Sequence, residues 1–273
     1  MKNILITGGT GRIGKFIVKH LSQDNNIWLI TRQNRSAENL KYITWDLTKP
    51  LTTKEHDNLS FDFVIHMAAI THINDSINNG KNNYLITKNL IDFLLLKNTN
   101  IHFIFFSTID VYGIRNKSYP VDTNSDCNPS SYYGLAKLNS EILIKQIFNK
   151  INLLRIAPMI DAEGQVDLNK RIYVPGTKIK IRSPYQKLNS FSNLESIFES
   201  VYKCLNTEAS LIENVTNGII YTESDLLGEN TFCLYIPKFV LNPLFYLLKK
   251  INTRWSYKFE HLLHKLFKNN TYA

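Results

Sequence analysis

Short apolar runs closed by turn-forming residues recur along the first half of the chain, at residues 3–7, 27–31, 63–67, 101–106 and 151–156. Between most of them, at 12–22, 83–97 and 133–149, apolar residues return at steps of three and four. Unbroken short runs suit strands buried on both faces, and the three-and-four spacing puts one apolar stripe on a helix. Strand and helix in alternation predict an α/β domain in which a parallel sheet is doubly wound, with helices on both faces.

After about residue 156 the alternation decays, and Pro158, Gly164, Pro175, Gly176 and Pro184 punctuate the chain. The expected division is therefore a first domain over 1–156 and a smaller C-terminal lobe over 157–273, with room for the chain to cross back to the sheet. In open α/β sheets ligands bind outside the carboxyl ends of the strands, so a lobe appended there is expected to cover the site and select the substrate. The late apolar stretch 232–248 is interrupted by Pro237, Lys238 and Pro243 and falls short of the roughly 20 residues needed to cross a bilayer. It reads as a lobe helix and no span. Lys249, Lys250, Arg254 and Lys258 behind it leave peripheral contact with a membrane open.

Composition narrows this little. With 44% hydrophobic and 20% charged residues, the 273-residue chain has ample material for a packed core. The net charge of +9 suits an anionic partner, whether nucleic acid, membrane or phosphate-bearing substrate, but the cations are scattered, so the charge does not choose. Cys127, Cys204 and Cys233 form no pair at disulfide or zinc spacing, and Met1-Lys2 leads straight into a strand-like run. The expected compartment is the cytoplasm.

The first strand ends in Thr7-Gly8-Gly9-Thr10-Gly11-Arg12-Ile13-Gly14. Side-chain-free positions between a strand and an amphipathic helix let the backbone approach a pyrophosphate at the helix N-terminus. Residues 1–156 thus read as a Rossmann-like dinucleotide-binding domain. The second strand ends in Thr31-Arg32, where a preference for the unphosphorylated cofactor calls for a carboxylate on the ribose hydroxyls. Arg32 and Arg35, helped by Arg12, instead suit a 2′-phosphate, so NADP(H) is favoured over NAD(H). The competing reading makes these arginines plain surface cations.

Tyr133 and Lys137 stand one helical turn apart, an arrangement in which the ammonium is expected to lower the phenol's pKa towards working pH. Thr108 follows the strand at 101–106, at an end that faces the cofactor crevice. A hydroxyl, a phenol and a lysine beside a nicotinamide can move a hydride and a proton together. His66 and His72 lack companion ligands at convincing positions, so no metal is expected. Asp75 and Asp110 lie near the expected crevice, as substrate contacts or as turn caps.

Over about its first 160 residues the sequence resembles the extended short-chain dehydrogenase/reductase family, the NAD-dependent sugar-nucleotide epimerases, dehydratases and reductases. The segment from Thr7 to Gly14 matches the TGxxGxxG loop, Asp46-Leu47 the adenine-contacting pair, and His66-Met67-Ala68-Ala69 the HxAA segment beside the cofactor. Residues 83–91 resemble NVxGTxNLL; Ser107-Thr108 with Val111-Tyr112-Gly113 resembles STxxVYG, and Tyr133 to Lys137 resembles YxxxK. The resemblance implies Tyr133 as catalytic acid or base, Lys137 as its partner on the nicotinamide ribose, and Thr108 on the reacting oxygen. It assigns Gly8, Gly11, Arg12, Ile13, Gly14, Arg32, Asp46, Leu47, Met67, Ala68 and Ala69, with Tyr133 and Lys137, to the cofactor. Ile109-Asp110 stands where the dehydratases place Asp-Glu, which disfavours dehydration.

Leu154-Arg155 resembles the strand opening the family's substrate lobe, but the YGP that usually follows is replaced around Met159-Ile160-Asp161. The segment 236–250 looks like the late helix of bacterial 4-epimerases and 4-ketoreductases of surface-polysaccharide pathways. The implied activity is hydride transfer at a ring carbon of a nucleoside-diphosphate sugar, C4 keto reduction before 4-epimerisation with retained NAD. Members often pair as homodimers through helices like those at 83–97 and 133–149. A reading from another class is a non-catalytic dinucleotide sensor or nucleic-acid-associated protein. The retained Thr108, Tyr133 and Lys137 argue against it, and no nucleic-acid partner is expected.

Overall fold

A computed structural model of the chain describes residues 1–37, 39–51, 59–70, 75–96, 100–114, 120–160, 169–173, 177–185, 187–227, 232–251 and 254–273. His72, Lys97, Asp161, Gly164, Pro175 and Gly176 lie outside them. The chain forms two compact units: Met1–Val111 with Ser131–Arg155 and Phe198–Glu213, and Tyr112–Ser130 with Ile156–Ile197 and Asn214–Ala273.

In the first unit β1 (Asn3–Thr7), α1 (Arg12–Leu21), β2 (Asn26–Thr31), β3 (Leu40–Thr44), β4 (Phe63–His66), α2 (Ile77–Leu95), β5 (His102–Thr108), α3 (Tyr132–Ile147) and β6 (Lys150–Ile156) follow in order. The strands form a seven-stranded parallel sheet in the order β3-β2-β1-β4-β5-β6-β9, the last being Leu211–Val215. Strand β1 pairs with β2 in the register Ile4 to Ile27 and with β4 in the register Ile4 to Phe63, so the chain winds outward in both directions from β1. That reversal of winding opens a crevice at the carboxyl ends of β1 and β4.

The reading of this half as a Rossmann-like fold stands. Ile4, Leu5 and Ile6 are fully buried in the central strand, as a sheet covered on both faces requires. Helix α1 turns the stripe Gly14, Ile17, Val18 and Leu21 inward. Helix α2 begins six residues before the expected start at 83, because Ser76 caps it by accepting a hydrogen bond from Asn79 N at 3.2 Å. Strand β3 was not expected.

In the second unit lie α4 (Asn169–Ile172), β7 (Lys180–Arg182), β8 (Leu188–Ser190), β10 (Ile220–Thr222), α6 (Glu223–Leu227), β11 (Cys233–Tyr235), α7 (Lys238–Lys250) and α8 (Arg254–Phe267). Helix α5 (Leu194–Leu205) runs from this unit into the first, and β9 completes the sheet there. Strands β7 and β11 pair in parallel, and β8 and β10 antiparallel. Pro237 caps α7, and Pro243 lies inside it without ending it. Asn214 pins the second unit's ends, donating to Val121 O at 3.1 Å and Ala273 O at 2.7 Å and accepting from the Tyr112 hydroxyl at 2.6 Å. Among the described residues no helix is long and apolar enough to cross a membrane.

Candidate active site

The glycine loop is shaped by two contacts that leave no room for a side chain. Gly8 has φ +74°, and a Cβ there would meet Ala68 N at 2.7 Å, while one on Gly14 would meet Gly8 O at 2.2 Å. The first turn of α1 is thereby pressed onto the loop. Gly11 begins the helix with its carbonyl accepting from Lys15 N at 2.8 Å and with no side chain capping the amides. A Cβ on Gly11 would touch only Gly8 O, at 3.4 Å. Amides that receive no side-chain cap from Gly11, at the positive end of a helix dipole and on a loop that is mostly glycine, fit a dinucleotide's pyrophosphate. Arg12 is exposed beside them and Ile13 half-buried.

Thr10 of this loop shares an open cavity of about 430 Å³ with Thr31, Arg32, Gln33 and Arg35. Both arginines are exposed, and among the described residues no carboxylate lines the cavity. The turn behind β2 is held by Thr31, whose hydroxyl donates to Gln33 O at 2.6 Å. After β3, Asp46 accepts from Thr48 N at 3.1 Å and Thr48 Oγ1 at 2.8 Å, and these bonds lower its pKa. Leu47 is buried, its carbonyl bonded by Asn89 Nδ2 at 2.8 Å.

Met67, Ala68 and Ala69 leave the end of β4 against the glycine loop. Met67 N donates to Thr7 O at 3.2 Å and Ala68 N to Thr7 Oγ1 at 3.1 Å. His66 is fully buried beneath, with Nδ1 at 2.6 Å from Thr7 Oγ1 and Nε2 at 3.0 Å from Thr87 Oγ1. Thr7 Oγ1 already accepts from Ala68, so its proton points to Nδ1 and the imidazole proton sits on Nε2. Burial first, then the charge of Lys137, hold the ring's pKa well below its ordinary value. His66 therefore works as a neutral brace. Asn83 fixes the far end of the segment, accepting from Ile70 N at 2.7 Å and donating to Ile70 O at 3.0 Å. Among the described residues no group of three or more His, Cys, Asp or Glu could hold a metal ion.

The remaining candidates meet where β5 ends and α3 begins. Thr108 is the last residue of β5, half-buried, its Oγ1 accepting from Asp110 N at 3.2 Å. Ser131 caps α3 by accepting from Gly134 N at 2.8 Å, and Asp75 Oδ1 accepts from Tyr133 N at 3.0 Å. Asp75 is thus a cap on the helix that carries Tyr133. Lys137 is buried, donates to Phe106 O at 2.8 Å, and lies 4.6 Å from the Phe105 ring centre and 5.9 Å from that of Tyr133.

The expected lowering of the phenol's pKa is overturned here. Burial, and secondarily the charge of Asp110, push Tyr133 above its ordinary value. Burial also brings Lys137 down to about 7, against the opposing pull of Glu141, so at neutral pH the amine is only partly charged. Desolvation outweighs the attraction that the four-residue spacing suggested.

Sequence reasoning missed the anchor beneath this corner. Glu141, one turn beyond Lys137, accepts from the Ser107 hydroxyl and pairs with Arg155 of β6 at 2.8 Å, with side chains 1% and 4% exposed. Phe106 therefore holds Lys137, and the next residue of β5 holds Glu141. These two rungs set the register of α3 along the strand that ends in Thr108. A charged residue on the inward face of α3, in line with Lys137 and Ile144, was the available signal.

The sequence matches the profile of the NAD dependent epimerase/dehydratase family over residues 4–156. A protein of Methanocaldococcus jannaschii, provisionally named a UDP-glucose 4-epimerase, is 32% identical over 54% of this chain and 51% of its own. The GDP-6-deoxy-D-talose 4-dehydrogenase of Aggregatibacter actinomycetemcomitans is 27% identical over 79% of this chain and 73% of its own. The chain spans about half the length of the first curated relatives it matches. Among solved structures, the Helicobacter pylori ADP-L-glycero-D-manno-heptose-6-epimerase superposes with a TM-score of 0.68, covering 87% of this chain and 86% of that one. At 20% identity that likeness is one of fold.

Proposed function

Because this chain belongs to the NAD dependent epimerase/dehydratase family, we propose that it is an NADP(H)-using oxidoreductase that reduces a keto carbon, C4, of a nucleoside-diphosphate sugar in surface-polysaccharide precursor synthesis. The observation that carries the cofactor choice is the cavity in which Arg32 and Arg35 join Thr10 and Thr31, with no carboxylate among the described residues that line it. Two guanidinium groups there bind a 2′-phosphate and leave a bare ribose unattended.

A bound reduced nicotinamide supplies the hydride. The chain supplies the rest. The glycine loop and the start of α1 hold the pyrophosphate, with Arg12 and Ile13 beside it, Asp46-Leu47 against the adenine, and Met67, Ala68 and Ala69 along the nicotinamide half. Thr108 donates its hydroxyl hydrogen to the reacting oxygen. Tyr133, kept protonated by its raised pKa, gives that oxygen its proton as charge develops. Lys137, held to Phe106 O, presents its remaining hydrogens to the nicotinamide ribose. The second unit is assigned to the sugar nucleotide.

The 4-epimerase reading has support in the name of the M. jannaschii relative. It needs the same residues in both directions of hydride transfer, with the cofactor retained. The test is a panel of nucleotide sugars and their 4-keto derivatives, each offered with NADPH or NADH. Stoichiometric oxidation of NADPH by a 4-keto sugar is the expected result, with preference passing to NADH in Arg32→Ala/Arg35→Ala. Isomerisation without net cofactor consumption establishes the epimerase instead, and inactivity across the panel overturns both.

A further inference from the structure

Helix α7 is apolar on two opposite faces, only one of which the protein covers. Leu241, Leu244, Phe245 and Leu248 pack with Leu263, Leu266 and Phe267 of α8. Roughly half a turn away round the helix, Phe239 (76% exposed), Val240, Tyr246 and Leu247 face solvent, and Phe232 (89%) and Tyr235 around β11 are exposed as well. A helix with apolar side chains all round is ordinarily buried all round, and an exposed apolar patch with a polar rim marks a surface meant for something else.

The rim says what that is. Residues 232–273 hold seven lysines and arginines and one acid, Glu260, which is buried. Six units of the whole chain's net charge of +9 thus reside in this segment. Lys238 and Lys250 are exposed at the two ends of α7, the latter with its amine 4.5 Å from the Tyr246 ring centre. A second copy is a poor occupant. Two such faces meeting about a two-fold axis would bring two segments of net charge +6 together, like charge against like.

We propose that the outer face of α7 lies in the plane of an anionic lipid membrane, with Phe239, Tyr246 and Leu247 entering the interfacial region and Lys238 and Lys250 against the headgroups. The 13-residue helix is about 20 Å long, too short to span and the right form to lie flat. Anionic lipids attract basic residues close to the surface, and aromatic rings with one polar end favour the interface.

The experiment is co-sedimentation of the purified full chain with vesicles of phosphatidylcholine mixed with phosphatidylglycerol and with vesicles of phosphatidylcholine alone, at low and high salt. About tenfold or more preference for the anionic vesicles, lost at high salt, is expected. Phe239→Ser/Leu247→Ser should abolish binding with an unchanged unfolding midpoint. Lys238→Glu/Lys250→Glu, which leaves the apolar face intact, should remove the preference between vesicles. Equal recovery with both vesicle types overturns the proposal, as does wild-type binding by either double variant. So does concentration-dependent dimerisation that Phe239→Ser/Leu247→Ser eliminates, which would make the face a contact between copies.

Discussion

Helix α1 starts at the carboxyl end of β1 and α3 by the carboxyl end of β5, two strands along the sheet, and they start differently. Helix α1 begins at Gly11 with no side chain on its first amides, whereas α3 begins with Ser131 on Gly134 N and Asp75 on Tyr133 N. Every α-helix presents several amides without intrahelical partners, and the chain either satisfies them itself or leaves them for a ligand. At α1 the N-cap residue offers the amides no side chain, over a loop that is mostly glycine, which is the place proposed to bind. At α3 they are closed, and the capped turn holds one phenol in place, which is a place to act. Further along α3, the buried Ser107–Glu141–Arg155 group fixes that helix on β5.

The largest way to break the contrast is Arg155→Met, which leaves the Glu141 carboxylate buried without its cation. A loss of about 3–5 kcal/mol is expected from denaturant unfolding, as for other interior pairs cut on one side. An unchanged midpoint would mean the pair does not anchor α3. Next in size is Gly11→Asp, which gives α1 the cap it lacks. The backbone there is extended and has room for a Cβ, so stability should hold or rise by a few tenths of a kcal/mol. Dinucleotide affinity should drop by on the order of 100-fold, because like charges close together near a protein surface repel by a few kcal/mol. Equal affinity in a binding titration would remove the pyrophosphate from this position.

Asp75→Ala removes one cap from α3 and should cost about 1 kcal/mol, with turnover reduced and cofactor affinity unchanged. If affinity falls and turnover does not, the division of labour is wrong. A further effect is in pH. Lys137 is lowered from 10.5 to about 7 in the folded state, so between those values the unfolded chain binds more protons. Stability of the cofactor-free protein should therefore rise as pH climbs through that window. Lys187, brought down to about 7 chiefly by burial, adds a rise of the same sign. Thermal unfolding of Lys137→Met should show a smaller rise than the wild type, and an equal rise would place Lys137's pKa near its ordinary value.

The open helix start was legible in the sequence, and the closed one only in part. A glycine loop between strand and helix is local in its pattern, and the contact of Gly14 with Gly8 and Gly9 lies within a few residues, although Met67, Ala68 and Leu29 close on the loop from elsewhere in the chain. The α3 corner draws on four separate stretches of chain, at Asp75, Phe106-Ser107, Tyr133 to Glu141 and Arg155, and periodicity does not register such convergence. Tyr133, Lys137 and Thr108 stood out by residue type and spacing. The direction of the phenol's shift did not, because it follows from burial, which four-residue spacing does not report. A crossing back to the sheet was allowed for, but α5 and β9, which make it, were not located, since short strands are fixed by distant partners and the loops after residue 156 had blurred the alternation. Asn83 and His66 lay inside recognised motifs, yet their work as a clamp and a neutral brace shows only in the hydrogen bonds they make.

Tyr133→Phe tests most directly the proposed division of one hydride-transfer site into a loop that binds and a corner that moves a proton. With the 4-keto sugar nucleotide and reduced cofactor identified by the panel, single-turnover reduction should slow by about 10²–10⁴-fold. The cofactor's dissociation constant, titrated on the same preparation, should stay where it was. Wild-type turnover by that variant, or a loss of cofactor affinity as large as the loss of rate, would contradict it.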